Sequence, residues 1–262
     1  MPKSLFISHG GGPLPLLGHA GHTEMVSCLE SIAAVIPQPD AIIVVSAHWE
    51  EPSPTLTSGP NPPLIYDYYG FPPESYEIKY PCAGEPSLAQ EILDRLDAQG
   101  IAAQVDGTRG FDHGVFVPLR IMYPKANIPC VQLSLVNTLD PATHIEMGQA
   151  LRGLNERNVL LVGSGFSFHN LKAFFAPDSP ESRQLNDSFE AWLQDVCANP
   201  DYSEGQRLEL LKAWAQAPGA GFCHPREEHL IPIHVCYGVA QAPCTMRYEL
   251  TIMNQKCSMY VW

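Results

Sequence analysis

The chain has 262 residues and a formal net charge of -13, with 45% hydrophobic but only 16% charged side chains. That length and apolar content suit a globular protein with a sizeable core and exclude a disordered chain. The acidic balance, with no basic run, excludes a binder of nucleic-acid backbones, and no apolar stretch is long enough to cross a membrane.

Taken in chain order, "SLFIS" (4–8) reads as a buried strand and "HTEMVSCLESIAAVI" (22–36) as a helix, with Met25, Leu29, Ile32 and Ile36 at helical intervals. "AIIVVSA" (41–47) is a second buried strand, and the proline-rich stretch 51–84 is an elaborated loop region. "EPSLAQEILDRLDAQG" (85–100) is a helix with Pro86 near its start and Gly100 as its stop. "RGFDHGVFVPL" (109–119) reads as a Gly-flanked turn, in which Asp112 and His113 either face a cleft or Asp112 caps the following segment. Strands follow at "CVQLSL" (130–135) and "NVLLVGSG" (158–165), separated by a helix at 142–154. Helical patterns then occupy 182–198 and 206–217. In "HPREEHLIPIH" (224–234), a proline followed by acidic residues predicts a helix start with His229 in its first turns.

Alternating strands and helices predict an α/β fold with a largely parallel central sheet flanked by helices, in a single domain spanning 1–262. In such sheets ligands bind beyond the carboxyl ends of the strands. His9 and His48 directly follow two predicted strands, and His169 lies just past the fourth, after "GSG". Parallel strands would bring these three histidines to one crevice. Imidazoles held at strand ends suit a metal such as iron or zinc. Glu228 stands beside His229 as an alternative ligand, although Glu227 and Glu228 also fit a helix N-terminus. His224 and His234 fit either supporting partners of the site or plain structural residues.

The glycines of "GSG", like "GGG" at 10–12, suit either a phosphate or a close backbone approach. Neither GxGxxG, GxSxG nor HExxH is present. Eight scattered cysteines without a CxxC pair, and no signal peptide, predict reduced thiols in a cytoplasmic protein.

"FISHGGGP", "IIVVSAHWE", "IYDYYGFP", "YPCAGEPSLA", "GFDHGVFVPL", "MYPKANIPCVQLSL", "GSGFSFHNL" and "HPREEHLIPIHV" occur in this order. Together they resemble the class III (LigB-type) extradiol ring-cleavage dioxygenases, and within them the 4,5-DOPA extradiol dioxygenase branch. The resemblance spans about residues 5–240. It implies an α/β fold, a mononuclear non-haem metal, and insertion of both atoms of O2 into a catechol to give a muconic semialdehyde. By motif it implies His9, His48 and His229 as metal ligands, with Glu228 as the substitute for the third. It also implies His169 as the acid–base group, which can sit close enough to ligate zinc at rest, and His113 as a substrate contact. Fe(II) is the ion implied for activity, and Zn(II) also suits such a site. Tyr66, Tyr68 and Tyr69 of "IYDYYGFP" either line the substrate pocket or pack in the core; Tyr66 is the substrate-binding candidate. One departure bears on substrate: betalain-forming plant enzymes carry a His-Pro-rich motif after the catalytic histidine, where this chain reads "HNLKAFF" (169–175). Two other functional classes use the same histidines: a zinc hydrolase that activates water, and a non-catalytic interaction protein built on this fold.

Overall fold

The computed structural model describes residues 4–262. Within them, eight strands form one sheet: β1 (Ser4–Ser8), β2 (Ala41–Glu51), β3 (Thr55–Thr57), β4 (Gln104–Asp106), β5 (Cys130–Val136), β6 (Val159–Gly165), β7 (Met246–Ile252) and β8 (Gln255–Val261). Their spatial order is β4-β3-β5-β2-β6-β1-β8-β7. The central strands β5, β2, β6 and β1 run parallel, while β8 pairs antiparallel with β1, β7 with β8, and β3 with β5. Every residue of β1, β5 and β6 is buried, which is why these strands read as unbroken apolar runs and not as alternations.

The helices are α1 (Thr23–Val35), α2 (Pro86–Ala98), α3 (His113–Met122), α4 (Pro141–Ala150), α5 (Leu171–Phe175), α6 (Pro180–Ala198), α7 (Glu204–Lys212), α8 (Ala220–Cys223) and α9 (Pro232–Ala240). Proline opens α2, α4, α6 and α9, where its missing N–H costs nothing. Ser179 and Ser203 cap α6 and α7 through reciprocal bonds with Ser182 and Gln206. Successive strand residues point to opposite faces, and β6 shows helices on both. Gly163 lies against α9, where an added Cβ would sit 2.7 Å from the Pro232 carbonyl oxygen. Its neighbour Ser164 points the other way and donates its hydroxyl proton to the Gly114 carbonyl in α3.

The predicted strands and helices are all present, with instructive shifts. β2 runs to Glu51, past its predicted end, and its register against β5 slips between Val45 and Glu50. His48 therefore sits inside an irregular strand segment and not after the strand, and such slips re-aim side chains. The predicted turn at 109–119 runs into α3, which carries Pro118 in its interior and ends at Met122. Its first residue is His113, and the glycines and proline disguised an otherwise apolar helix. The helix expected around His229 begins only at Pro232, so His229 lies in the preceding turn. The β7–β8 hairpin has no counterpart in the predicted elements. β7 is mostly exposed, so its sequence lacks the apolar run that marks the central strands. Apart from β3 and a short 3-10 turn at Pro73–Tyr76, the proline-rich stretch is loop as predicted. All eight cysteines are free. Among the described residues no helix is long and apolar enough to cross a membrane.

His224 and His234 are structural: each is fully buried and bonded to a distant backbone carbonyl, Ser167 at 2.7 Å and Leu211 at 3.0 Å. Burial pushes His224 down to about 3, and His22 and His234 down to about 4. They fold neutral, whereas the unfolded chain protonates them near 6.5, so acid favours unfolding. Buried Glu190, pushed up to about 7, acts in the opposite sense and offsets one of them. Between pH 6.5 and about 4 we expect stability to fall by roughly 3 kcal/mol per pH unit from these groups. Urea denaturation across this range checks it; a flat profile would refute the assignment of these histidines as buried and neutral.

Candidate active site

The parallel strands β2, β6 and β1 end side by side, and the site is built on those ends. His9 is the residue after β1, and its backbone N–H donates to the Gly165 carbonyl at 3.3 Å. His48 comes from the irregular end of β2, and His169 lies four residues beyond β6. His229 reaches the same point from the turn before α9. That turn rests directly on the end of β6: the Phe166 N–H donates to the His229 carbonyl at 2.8 Å. A Cβ on Gly165 would lie 2.1 Å from that oxygen. The glycines of "GSG" thus serve close backbone approach, and the phosphate reading has no counterpart here. His113 enters from the first position of α3.

Five imidazoles converge. The ring centres of His9, His48 and His229 form a nearly equilateral triangle with sides of 4.8, 5.0 and 5.2 Å, and the rings are mutually inclined by 53–82°. A metal bonded to imidazole nitrogen at about 2.1 Å lies about 3.2 Å from the ring centre, so ligands separated by 90–109° would have centres about 4.6–5.3 Å apart. The observed triangle fits that range. The Nε2 atoms of His9 and His48 lie 3.0 Å apart, within the roughly 3.0–3.4 Å that two such bonds would span. His113 also falls into a group with His9 and His48 whose ligand atoms all lie within 4.8 Å of one another. Its ring centre, however, is only 3.9 Å from that of His48, too close for two rings radiating from one ion. His169 stacks face to face on His229, with centres 3.4 Å apart and planes within 16°. Near-parallel rings direct their lone pairs side by side and not toward a common point.

Hydrogen bonds behind the rings fix which nitrogen is free. Ser164 gives its own proton to Gly114, so it accepts from His9 Nδ1–H at 3.0 Å and leaves His9 Nε2 as the lone-pair donor. Glu228 accepts from His229 Nδ1–H at 2.8 Å and faces His169 Nδ1 at 3.3 Å. Asp67 accepts from His113 Nδ1–H at 2.9 Å and from its backbone N–H at 3.0 Å, and it faces His48 Nδ1 at 3.6 Å. Glu228 therefore supports two imidazoles from behind, and Arg226 anchors its other oxygen at 3.4 Å.

Burial and then the neighbouring histidines hold His9 and His229 well below the usual imidazole range; burial and His113 push His48 down to about 3. Burial pushes the Asp67 and Glu228 carboxyls up, but hydrogen bonds and charge interactions, chiefly with His113 and His169, together outweigh it, and both stay below the usual carboxylate range. Neutral imidazoles with convergent lone pairs, flanked by two ionised carboxylates, are a donor set for a divalent cation.

Asp67 is the residue that sequence reasoning missed. It is the lone acid of "IYDYYGFP", inside an irregular loop where no periodicity shows which side chain points inward. Asp112, read as a cleft residue or a cap, takes the N-cap position of α3, where its backbone carbonyl accepts from the Val115 and Phe116 N–H at 2.9 and 3.1 Å. It is fully buried, accepts from Ser46 at 2.8 Å and from Gln132, and pairs with Arg109 at 3.3 Å, with no side-chain bond to its own helix. Tyr66 does not line the cavity above the histidines. Its hydroxyl donates to the Ile78 carbonyl at 2.6 Å and its ring packs on Phe116. Tyr68 and Tyr69 form that wall instead. The cavity measures about 480 Å³, with the five histidines at its floor and Gly10–Gly12 along one side.

The chain is similar to known proteins along nearly its whole length. The family described as the catalytic LigB subunit of aromatic ring-opening dioxygenase matches residues 5–260. The dioxygenase tasH of Hapsidospora irregularis is 42% identical over 259 residues, covering 92% of this chain and 79% of the relative. The 4,5-DOPA dioxygenase extradiol of Beta vulgaris is 37% identical, covering 91% of this chain and 87% of the relative. The protein of that name from Escherichia coli K12 is 32% identical, with 94% and 89% covered. A crystal structure of the uncharacterized protein JW3007 from Escherichia coli K12 superposes with a TM-score of 0.78 at 28% identity, covering 99% of each chain.

Proposed function

The chain belongs to the LigB family of extradiol, aromatic ring-opening dioxygenases, and on that premise we propose that it cleaves a catechol bearing a side chain, beside the diol, with O2 and Fe(II), to a muconic semialdehyde. The observation that carries this reading is the triangle of His9, His48 and His229 at the floor of a cavity open to solvent at its mouth. These three residues would hold the ion on one face. Bound Fe(II) would supply the redox chemistry that joins a catechol to dioxygen. Zn(II) suits the same nitrogen donors and would occupy the site in protein purified without iron.

The chain's own side chains position the substrate and move protons. With His169 Nδ1 turned toward Glu228 at 3.3 Å, Nε2 is the nitrogen left to act as a base. That nitrogen takes the proton from the catechol hydroxyl and later returns one to the opened product. His113, with Nδ1 spent on Asp67, uses Nε2 to contact a substrate or oxygen-derived oxygen atom. Phe166, Tyr68 and Phe71 exclude water around the reacting ring. Eight free thiols suit a reducing compartment such as the cytoplasm.

The experiment is oxygen uptake by Fe(II)-reconstituted protein with a panel of catechols. We expect one O2 consumed per catechol and a yellow product. Failure to consume O2 with every catechol would sink the proposal. Hydrolytic activity with zinc alone would replace it with the water-activating class.

A further inference from the structure

Given the catechol reading above, we infer that the substituent on the substrate is uncharged and apolar, of about the bulk of a second ring or a short alkyl chain. Above its histidine floor the cavity is walled by Leu14, Tyr68, Phe71, Phe166, Phe174 and Met253, and among the described residues no lysine or arginine lines it. Among the described residues Asp67 is the one carboxylate on the wall, and it is already committed to His113 and His48. Tyr68 directs its hydroxyl proton to the Ser75 carbonyl at 2.6 Å, so it offers no donor to a ligand. A carboxylate on the substrate would enter an apolar wall beside an ionised acid and find no cation; burying such a charge unpaired is costly. An ammonium would find only a carboxylate that is already shared.

Lys172 and Arg226 stand outside the cavity, lining a separate groove of about 310 Å³ that adjoins the site through His169 and Leu171. Arg226 is held there by two bonds of 2.7 Å to Glu50. The mouth of the cavity, by contrast, is apolar and bare: Leu171, Tyr69 and Phe175 line it while 61%, 91% and 78% exposed. Large exposed apolar side chains at a cavity rim mark where a bound apolar group is covered. Size agrees. A cavity of roughly 150 Å³ accepts a benzene ring, so 480 Å³ leaves ample room beyond a catechol.

Calorimetry on the metal-loaded protein under anaerobic conditions tests this without turnover. The ligands are 4-methyl-, 4-ethyl-, 4-propyl- and 4-butylcatechol, 4-phenylcatechol, L-DOPA and 3,4-dihydroxyphenylacetate. We expect Kd to fall about fourfold per added methylene, and both charged catechols to bind at least tenfold more weakly than 4-butylcatechol. Phe175→Lys, a change at an exposed rim position, should narrow the gap between 3,4-dihydroxyphenylacetate and 4-butylcatechol by tenfold or more. A flat Kd along the alkyl series, or L-DOPA binding ahead of it, overturns the inference. Alkylcatechols bound in the expected order with no O2 uptake would fail the dioxygenase proposal alone. Rapid cleavage with L-DOPA ranked first would fail this inference alone.

Discussion

His48→Ala is expected to lose most of the metal that the wild-type protein retains, and turnover with it. Losing a residue that merely orients a ligand costs roughly 10–100-fold in metal affinity; removing a ligand should exceed that. His48 is the sharpest choice because its Nε2 lies 3.0 Å from that of His9, close enough for one ion to take both nitrogens. The structure also offers a control. His113 belongs to the same tight group of ligand atoms, yet its ring crowds that of His48 at 3.9 Å. His113→Ala should therefore retain close to one ion per chain while turnover falls. Metal analysis of both variants after dialysis decides between them. Full metal content in His48→Ala together with loss in His113→Ala would transfer the ligand role to His113.

The second large effect concerns His169. His169→Gln should keep the ion and still bind catechol, yet lose about 10²–10⁴ in kcat. His169 lies parallel to His229 at 3.4 Å, a packing in which the two lone pairs run side by side and do not converge. Glu228 holds both rings from behind, so His169 is positioned by the same carboxylate that orients the neighbouring imidazole. A group placed in that way is suited to serve the ligand beside the metal. Metal loss matching that of His48→Ala would make His169 a fourth ligand, and wild-type turnover would leave it a structural residue.

The parallel core was legible because β1, β2, β5 and β6 are covered on both faces and so write themselves as apolar runs. That gave His9, His48 and His169 a common edge before any coordinates. The limits were equally physical. β7 is mostly exposed, and neither it nor the buried β8 carries a comparable run. α3 was hidden because Gly114 and Pro118 read as breakers, whereas Gly114 is needed where an added Cβ would meet the Ser46 hydroxyl at 2.4 Å. His229 does not follow a strand, so its arrival at the site rested on motif resemblance alone. Asp67 and the choice among Tyr66, Tyr68 and Tyr69 lie in a loop without period, where neighbouring residues carry no signal of which one faces inward. Tertiary contacts such as the Asp67–His113 bond, across 46 residues of sequence, decide it.

If this site inserts dioxygen into an aromatic ring, the product formed from 4-butylcatechol under 18O2 will show it by mass spectrometry. A ring-opened product should carry 18O in its new carboxylate, and a second 18O in the aldehyde before exchange with water. A product that has gained unlabelled water, or a quinone that has lost two hydrogens and gained no oxygen, would contradict it.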